Sequence, residues 1–453
     1  MPERLVVIGG DAAGMSAASQ ARKLRDADDL EILAFEKGRY ISYSACGIPY
    51  FVSGTVSDLT KLQVRTPDYF INERDVEVRI NSEVTAIDLD SRKIEVRNHD
   101  RGETYAEGFD QLLVATGAVP LRPPLEGADA EGIFGVQTLG HGEAIKRYVE
   151  ERRPQRAVIV GAGYIGIEMA EAFVLQGIAT SVIERAAQPM STLDEDMGEM
   201  VGSAMRSEGI VLHTGESVTG FEVDGGRVSA VVTDRRTVHT DLVVLGLGTR
   251  PNTRLAEEAG IPIGPSKGIK VDQQMKTEID GVWAAGDCAE KFHLVSRQPV
   301  AIALGTHANK EGRTAGINIG GGYETFPGVL GTAVTKVCSL EVARTGLKES
   351  EAVDAGFDYV VGKVSSTTRA GYFPGAAPIT TKMIAERNSG RLLGAQIVGL
   401  EGAAKRLDVI ATALWNEMTV DEMLQMDLSY APPFAPVWDP VLIAARKTWD
   451  QVS

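Results

Sequence analysis

Cys46 is the residue whose type best suits redox chemistry. It stands in Tyr40-Ile-Ser42-Tyr-Ser-Ala-Cys46-Gly-Ile-Pro49-Tyr50, far from the other two cysteines, Cys288 and Cys338. No CxxC or CxxxxC pair exists, so a redox cysteine here works without a cysteine neighbour in sequence. The odd, sparse count fits a reducing compartment, not a disulfide framework. A helix starting near Cys46 would lower the thiol pKa through its dipole and favour the thiolate. The competing reading is a buried structural cysteine, since free cysteine is often buried. That reading is the stronger one for Cys288 and Cys338.

Two glycine loops point to nucleotide chemistry. Gly161-Ala-Gly163-Tyr164-Ile165-Gly166 is a full GxGxxG behind an apolar strand pattern. The first glycine permits the tight turn, the second admits a pyrophosphate to the backbone, and the third lets helix and strand pack. Phosphate then rests on the helix N-terminus. Glu184 ends the next strand, 23 residues after Gly161. A carboxylate there accepts the adenosine ribose hydroxyls and repels a 2′-phosphate, which favours NADH. Arg185 beside it can accept a 2′-phosphate, which leaves NADPH open. The other loop, first in the chain, Gly9-Gly10-Asp11-Ala12-Ala13-Gly14, has Asp11 in place of the central glycine, and Glu36 ends its following strand. Asp287, in Ala284-Ala285-Gly286-Asp287, can reach a ribityl chain. Ala115-Thr116-Gly117 offers a close backbone turn. Together these suggest FAD.

The elements that position these residues repeat. LVVIGGDAAG at 5–14 and AVIVGAGYIG at 157–166 share one shape: apolar strand, glycine turn, small-residue helix. Their first glycines lie 152 residues apart. After the first unit come a strand at 30–35, β-like segments at 76–80, 82–90 and 93–98, and at 111–117 a buried strand ending in a turn. PLRPPLEG at 120–127 reads as stiff linker. The second unit runs to about 245 and has its own β-rich stretch at 218–234. A helix is expected from Pro299, since proline suits a first helical position. The glycines at 320–322 mark a boundary, and 326–453 reads as a β-then-α domain. The proline-rich 429–440 is expected to be extended.

Composition narrows the function classes. The 453 residues suggest about three domains. The net charge of −16 argues against nucleic acid, which needs a basic footprint. No run approaches the ~18 apolar residues of a membrane span, and the N-terminus reads as a strand and not a signal peptide. A cytoplasmic location, no membrane association and no metal centre are expected.

Ser42-xxx-Cys46-xx-Pro49-Tyr50, both glycine loops, ATG, AAGD and Tyr430-Ala-Pro-Pro433 occur together. In this combination the chain resembles the flavoprotein pyridine-nucleotide disulfide oxidoreductases over essentially its full length. Within them it is similar to the single-cysteine branch of coenzyme A-disulfide reductases, NADH oxidases and NADH peroxidases. The resemblance implies an α/β fold with two Rossmann-like domains and a C-terminal α+β dimerisation domain. The FAD domain would span 1–113 and 248–325, the NAD(P)H domain 114–247, and the interface domain 326–453. FAD contacts are implied at Gly9, Gly10, Ala12, Ala13, Gly14, Glu36, Lys37, Ser42, Val84, Ala115, Thr116, Gly117, Gly286, Asp287, Pro299, Val300 and Ala301. Those for NADH fall at Gly161, Gly163, Tyr164, Ile165, Gly166, Glu168, Glu184 and Arg185. Tyr164 resembles the tyrosine that gates the nicotinamide pocket, and Glu168 the carboxylate that contacts the ring.

Particular residues choose within the branch. Oxidases and peroxidases of the branch carry a histidine where Ala12 stands. Glutathione-reductase-like enzymes use an interface-domain histidine, yet the last of six histidines is His307. Coenzyme A-disulfide reductases place two interface tyrosines in the site of the other subunit, and Tyr372 and Tyr430 match their motifs. Tyrosine, with a pKa near 10, suits protonation of a thiolate leaving group. Gln20, Lys23, Ser42 and His307 match CoA-facing positions. Ala45 departs from the usual asparagine, and Val437-Trp438 occupies a stretch that often supplies a lysine. The resemblance therefore implies a homodimer with a shared active site that reduces a small disulfide, CoA disulfide first. Persulfide or polysulfide reduction and NADH oxidation are the alternatives within the branch. A flavoprotein passing electrons to a protein partner, with Cys46 structural, is the alternative from another class.

Overall fold

The computed structural model describes residues 2–452. Two parallel five-stranded sheets dominate it, and both grow from the repeated unit. In the first, the apolar run of strand Glu3–Ile8 pairs in register with Leu30–Phe35 on one side and Gln111–Val114 on the other. Glu77–Arg79 and Val282–Ala284 form its edges. Leu5, Val6 and Val7 are fully buried, as expected of a parallel strand covered on both faces. In the second, Arg156–Val160 takes the central place, between Ala179–Glu184 and Leu242–Leu245. Val211–Thr214 and Ile133–Gly135 are its edges. Each sheet carries a three-stranded antiparallel insert, over 82–108 in the first and 218–239 in the second.

The sequence reading missed the start of the second unit. Strand Ile133–Gly135 and helix Leu139–Arg152 precede the glycine loop. The two chain crossings between the sheets, Ala118–Pro120 and Thr249–Pro251, pair antiparallel with each other. Strand Glu103–Gly108 was also unforeseen, because its charged, half-exposed residues carry little apolar signal.

The helix expected from Pro299 is corrected. Pro299 and Val300 instead pair with Phe292 and Lys291 in a short hairpin, and the helix begins at Gly305. Proline fits a helix start, but its fixed φ fits an edge strand equally well. The helix Gly305–Ile319 packs along helix Ala12–Leu24. A methyl at Gly312 or Gly316 would overlap the Ala13 or Ala17 backbone, so this close crossing depends on glycine.

The C-terminal part is one antiparallel sheet in the order Ala333–Val337, Leu340–Gly346, Leu392–Gly399, Pro378–Glu386, Tyr359–Thr367. Helices Ala403–Trp415 and Pro440–Trp449 pack on it. Residues 429–440 are irregular, with a turn around Pro432–Phe434, until Asp439 caps the last helix. Among the described residues no helix is long and apolar enough to cross a membrane.

Candidate active site

Both glycine loops are built the same way. Gly9 turns the chain at φ +117°, and a methyl there would overlap the Ala115 carbonyl. Gly161 turns at φ +100°, and a methyl would overlap the Gly246 carbonyl. A methyl at Gly14 or Gly166 would strike the carbonyl of its own loop's first glycine. Helix Ala12–Leu24 starts directly behind the first loop and helix Tyr164–Leu175 behind the second. The Glu36 carboxylate accepts the N–H groups of Gly10 (2.9 Å) and Gly38 (2.7 Å). Glu184 accepts those of Ala162 and Ala186, both at 2.7 Å. Each carboxylate is thus held at the mouth of its loop, where ribose hydroxyls can meet it.

One observation beside the first loop fits FAD. Asp287 Oδ1 is buried with no hydrogen-bond partner, an acceptor awaiting a donor. Burial pushes the Asp287 carboxyl up, partly offset by the Lys291 charge. Gly286, at φ +85°, lies against Ala13 of this loop, and an added methyl would crowd that side chain, so the Asp287 turn is packed directly on the loop. Ala115 meets Gly9, while Thr116 is tied to Asn252 through its hydroxyl (2.7 Å) and carbonyl (3.2 Å). Val84 is half-buried in the antiparallel insert, and Pro299–Ala301 lie on or just after the short hairpin.

Cys46 sits in a single 3-10 turn, Ala45–Gly47, that feeds helix Ile48–Ser53. The segment before it is pinned to the first glycine loop. Ser42, at φ +46°, donates its N–H to the Gly10 carbonyl (2.9 Å), and the Tyr43 N–H donates to Asp11 Oδ1 (3.0 Å). Cys46 is exposed, Cys338 half-buried and Cys288 buried. The Cys288 thiol donates to the Val114 and Ala285 carbonyls, both at 3.4 Å. The expected lowering of the Cys46 pKa is corrected: the thiol is pushed up, first by desolvation and then by the Glu168 carboxylate, with Asp287 and Asp11 adding. The following helix has only six residues, too short for its dipole to outweigh these carboxylates.

Glu168 comes from the second unit, one turn past Tyr164. Its Oε1 accepts the Thr335 hydroxyl of the C-terminal sheet at 2.7 Å. Burial and the nearby Glu171 raise its carboxyl. Burial likewise raises the Tyr164 phenol. A cavity of about 210 Å³ separates Tyr50 and Pro49 from Glu168, Glu171 and Lys336.

A larger cavity of about 520 Å³ opens beside Ser42–Ser44, just before Cys46. Gln20, Lys23 and Ser42 line it as expected, together with Asp11 and Ala12. Arg65, Arg74 and Arg313 line it too, and the sequence reading missed all three. Arg65 and Arg74 both lie over the Tyr69 ring, and Arg74 donates to the Tyr69 hydroxyl at 2.9 and 3.1 Å. No local motif announces those two; Arg313 was inferable, one turn beyond Asn309 on the same helix face. His307 does not line this cavity. It is buried on another face of that helix with Nδ1 unpartnered, and burial and the Lys291 charge push it down to about 4.

Tyr372 and Tyr430 come together, but not at Cys46 of the same chain. The neighbouring Tyr372 raises the pKa of the Tyr430 hydroxyl. Both are exposed, as are Phe434, Val437 and Trp438.

Comparisons with known proteins agree with this architecture. The family model described as pyridine nucleotide-disulphide oxidoreductase matches residues 3–312, and the family's dimerisation domain matches 332–440. The chain is 39% identical to a CoA-dependent NAD(P)H sulfur oxidoreductase of Pyrococcus abyssi, over 98% of this chain and 97% of that protein. It is 28% identical to a coenzyme A disulfide reductase of Staphylococcus haemolyticus, over 99% of both. The crystal structure of reduced Bacillus anthracis CoADR-RHD superposes with a TM-score of 0.96 at 34% identity, covering 100% of this chain and 81% of that one. The family uses FAD and NAD(P)H. With two nucleotide loops, a cysteine between them and a matching dimerisation domain, the chain belongs to the FAD-dependent pyridine nucleotide-disulfide oxidoreductases.

Proposed function

We propose that the protein reduces CoA disulfide with NADH, using Cys46 as its single redox cysteine. The observation that carries this reading is the 520 Å³ cavity beside the Cys46 segment, with Lys23, Arg65, Arg74 and Arg313 in its wall. On a chain of net charge −16, four basic side chains around one cavity suit a phosphorylated thiol.

FAD, when bound, takes a hydride from NADH and passes the electron pair to a disulfide. It would be held by the first glycine loop, Glu36, the 115–117 turn and Asp287. NADH would be held by the second loop and Glu184, with Tyr164 and Glu168 at the nicotinamide. Cys46 rests as a mixed disulfide with one CoA. Two electrons cleave that bond, releasing CoA thiol and leaving the Cys46 thiolate. The thiolate attacks the next CoA disulfide, re-forms the mixed disulfide and expels a second thiolate. Tyr430, beside Tyr372, protonates that thiolate from the second subunit of a homodimer. The sum is CoA disulfide plus NADH plus one proton giving two CoA thiols and NAD⁺. The domain division is 1–113 with 248–325 for FAD, 114–247 for NADH and 326–453 for the interface. The sparse cysteines support a cytoplasmic setting.

Intact mass, taken without reductant and again after dithiothreitol, tests this. The expected result is loss of one CoA per subunit, absent in Cys46→Ser. No mass change would remove the mixed disulfide and with it this reading. A second reading, reduction of a persulfide or polysulfide, rests on the greater identity to the sulfur oxidoreductase than to the disulfide reductase. Faster NADH consumption with polysulfide than with CoA disulfide would select it.

A further inference from the structure

A buried ion pair lies behind the FAD loop, and nothing in the proposed mechanism uses it. The side chains of Lys291 and Glu311 are 1% and 0% exposed, with Nζ 3.4 Å from Oε1. Lys291 stands on the short hairpin and Glu311 on helix Gly305–Ile319. Placing two charges out of water is expensive, so an apolar pair would serve simple packing better.

The two side chains grip one residue. Glu311 Oε2 accepts the Gly286 N–H at 2.8 Å. Lys291 Nζ donates to the Gly286 carbonyl at 2.8 Å and to the Ala289 carbonyl at 3.1 Å. Gly286 is in the left-handed region outside strand and helix; its carbonyl also accepts the Ala289 N–H at 3.0 Å, while its N–H goes to Glu311. It sits against Ala13 of the first glycine loop, and the next residue, Asp287, carries the buried oxygen without a partner. The pair therefore fixes the peptide that aims Asp287.

We propose that Lys291 and Glu311 are a positioning pair for FAD, holding the Gly286–Asp287 turn so that the free Asp287 oxygen meets the ribityl chain. This rests on the reading of Asp287 as an FAD contact. The pair touches neither Cys46 nor the NADH loop, so its effect falls on FAD retention.

The test is FAD titration of apoprotein, followed by flavin fluorescence, in a double-mutant cycle. Lys291→Met with Glu311→Met removes the grip and both charges of the pair, and Asp287 loses the Lys291 charge with them. The expected result is an FAD Kd raised at least tenfold, with the apoprotein melting within a few degrees of the parent. In an Asp287→Ala background the same double change is expected to raise Kd less than twofold further, because pair and carboxylate act as one unit. A Kd within twofold of the parent, or full additivity with Asp287→Ala, overturns the proposal. If Asp287→Ala alone leaves FAD binding unchanged, the reading of Asp287 fails first, and the proposal with it. Should the double methionine variant not fold, Lys291→Met with Glu311→Gln keeps an acceptor for the Gly286 N–H and is judged by the same two criteria.

Discussion

The molecule builds one nucleotide site twice, and the copies differ in what stands beside the loop. Strand, glycine turn, helix, second strand and carboxylate superpose in kind, down to the two N–H groups each glutamate accepts. Past the first sheet's edge strand Val282–Ala284 come Gly286, Asp287 and the buried Lys291–Glu311 pair. Past the second sheet's edge strand Ile133–Gly135 come Val136 and Gln137, with no acid and no ion pair. Helix Gly305–Ile319 presses on the first loop's helix. The second loop's helix instead meets Thr335 through Glu168. The shared parts suit a dinucleotide. The added parts on the first copy suit a cofactor that stays, and their absence on the second suits one that leaves each turnover.

The sharpest way to break this contrast is the same small change in both loops. Gly14→Ala and Gly166→Ala each drive a methyl into the first glycine's carbonyl, a clash costing about 1–3 kcal/mol. Gly14→Ala is expected to strip most flavin and nearly all activity. Gly166→Ala is expected to keep flavin at one per subunit and raise the KM for NADH about tenfold or more. Absorbance of bound flavin, read beside NADH kinetics, decides it. Flavin loss in both variants would mean that the two sites are not specialised as described.

A smaller effect is expected at Glu184. Its removal takes away the ribose acceptor and the charge that repels a 2′-phosphate, while exposed Arg185 remains. Glu184→Ala should lower kcat/KM for NADH about tenfold and raise it for NADPH, shifting the ratio on the order of 10–100-fold. Mere loosening of the loop would lower both values, so a fall in NADPH use would count against this role. Glu36→Ala, by contrast, should cost flavin.

Much of this contrast was legible before the fold was known, and the reason is local. Glycine turns, the strand before them and the acid 27 or 23 residues past the first glycine are written within one short stretch of chain. So is Asp287, in a short motif. Arg65 and Arg74 were not legible, because only the packing around Tyr69 brings them to the cavity. Lys291 and Glu311 are 20 residues apart and read as ordinary surface charges until both are buried at Gly286. His307 misled for a related reason: being on the right helix did not place it on the right face. The thiol shift at Cys46 also reversed, since the local helix was visible in sequence but the desolvation of the thiol, and after it the approach of Glu168 from more than 100 residues on, was not.

The smallest expected effect lies at the central position of the loop, where Asp11 in the first copy matches Gly163 in the second. A side chain at Gly163 would enter open space, the gap a pyrophosphate approaches through. Asp11 fills the matching place and turns to the Tyr43 N–H. Burial, with Glu36 and Asp287 adding like charge, pushes its carboxyl up to about 6, against the pull of the Tyr43 and Ala12 N–H groups. The ordinary value is about 3.9, so the folded chain holds this proton more tightly than the unfolded one. The stability linked to that proton is fully present below about pH 4 and is lost as pH rises through about 6. At pH 7.5 the ionised carboxylate therefore costs the apoprotein about 1–3 kcal/mol. Asp11→Asn keeps an oxygen for the Tyr43 N–H and removes the charge. Its apoprotein should melt about 1–4 °C higher than the parent at pH 7.5, with the gap closing by pH 4. An equal gap at both pH values would trace the gain to packing, and no gain at pH 7.5 would show that the loop carries its buried acid without cost.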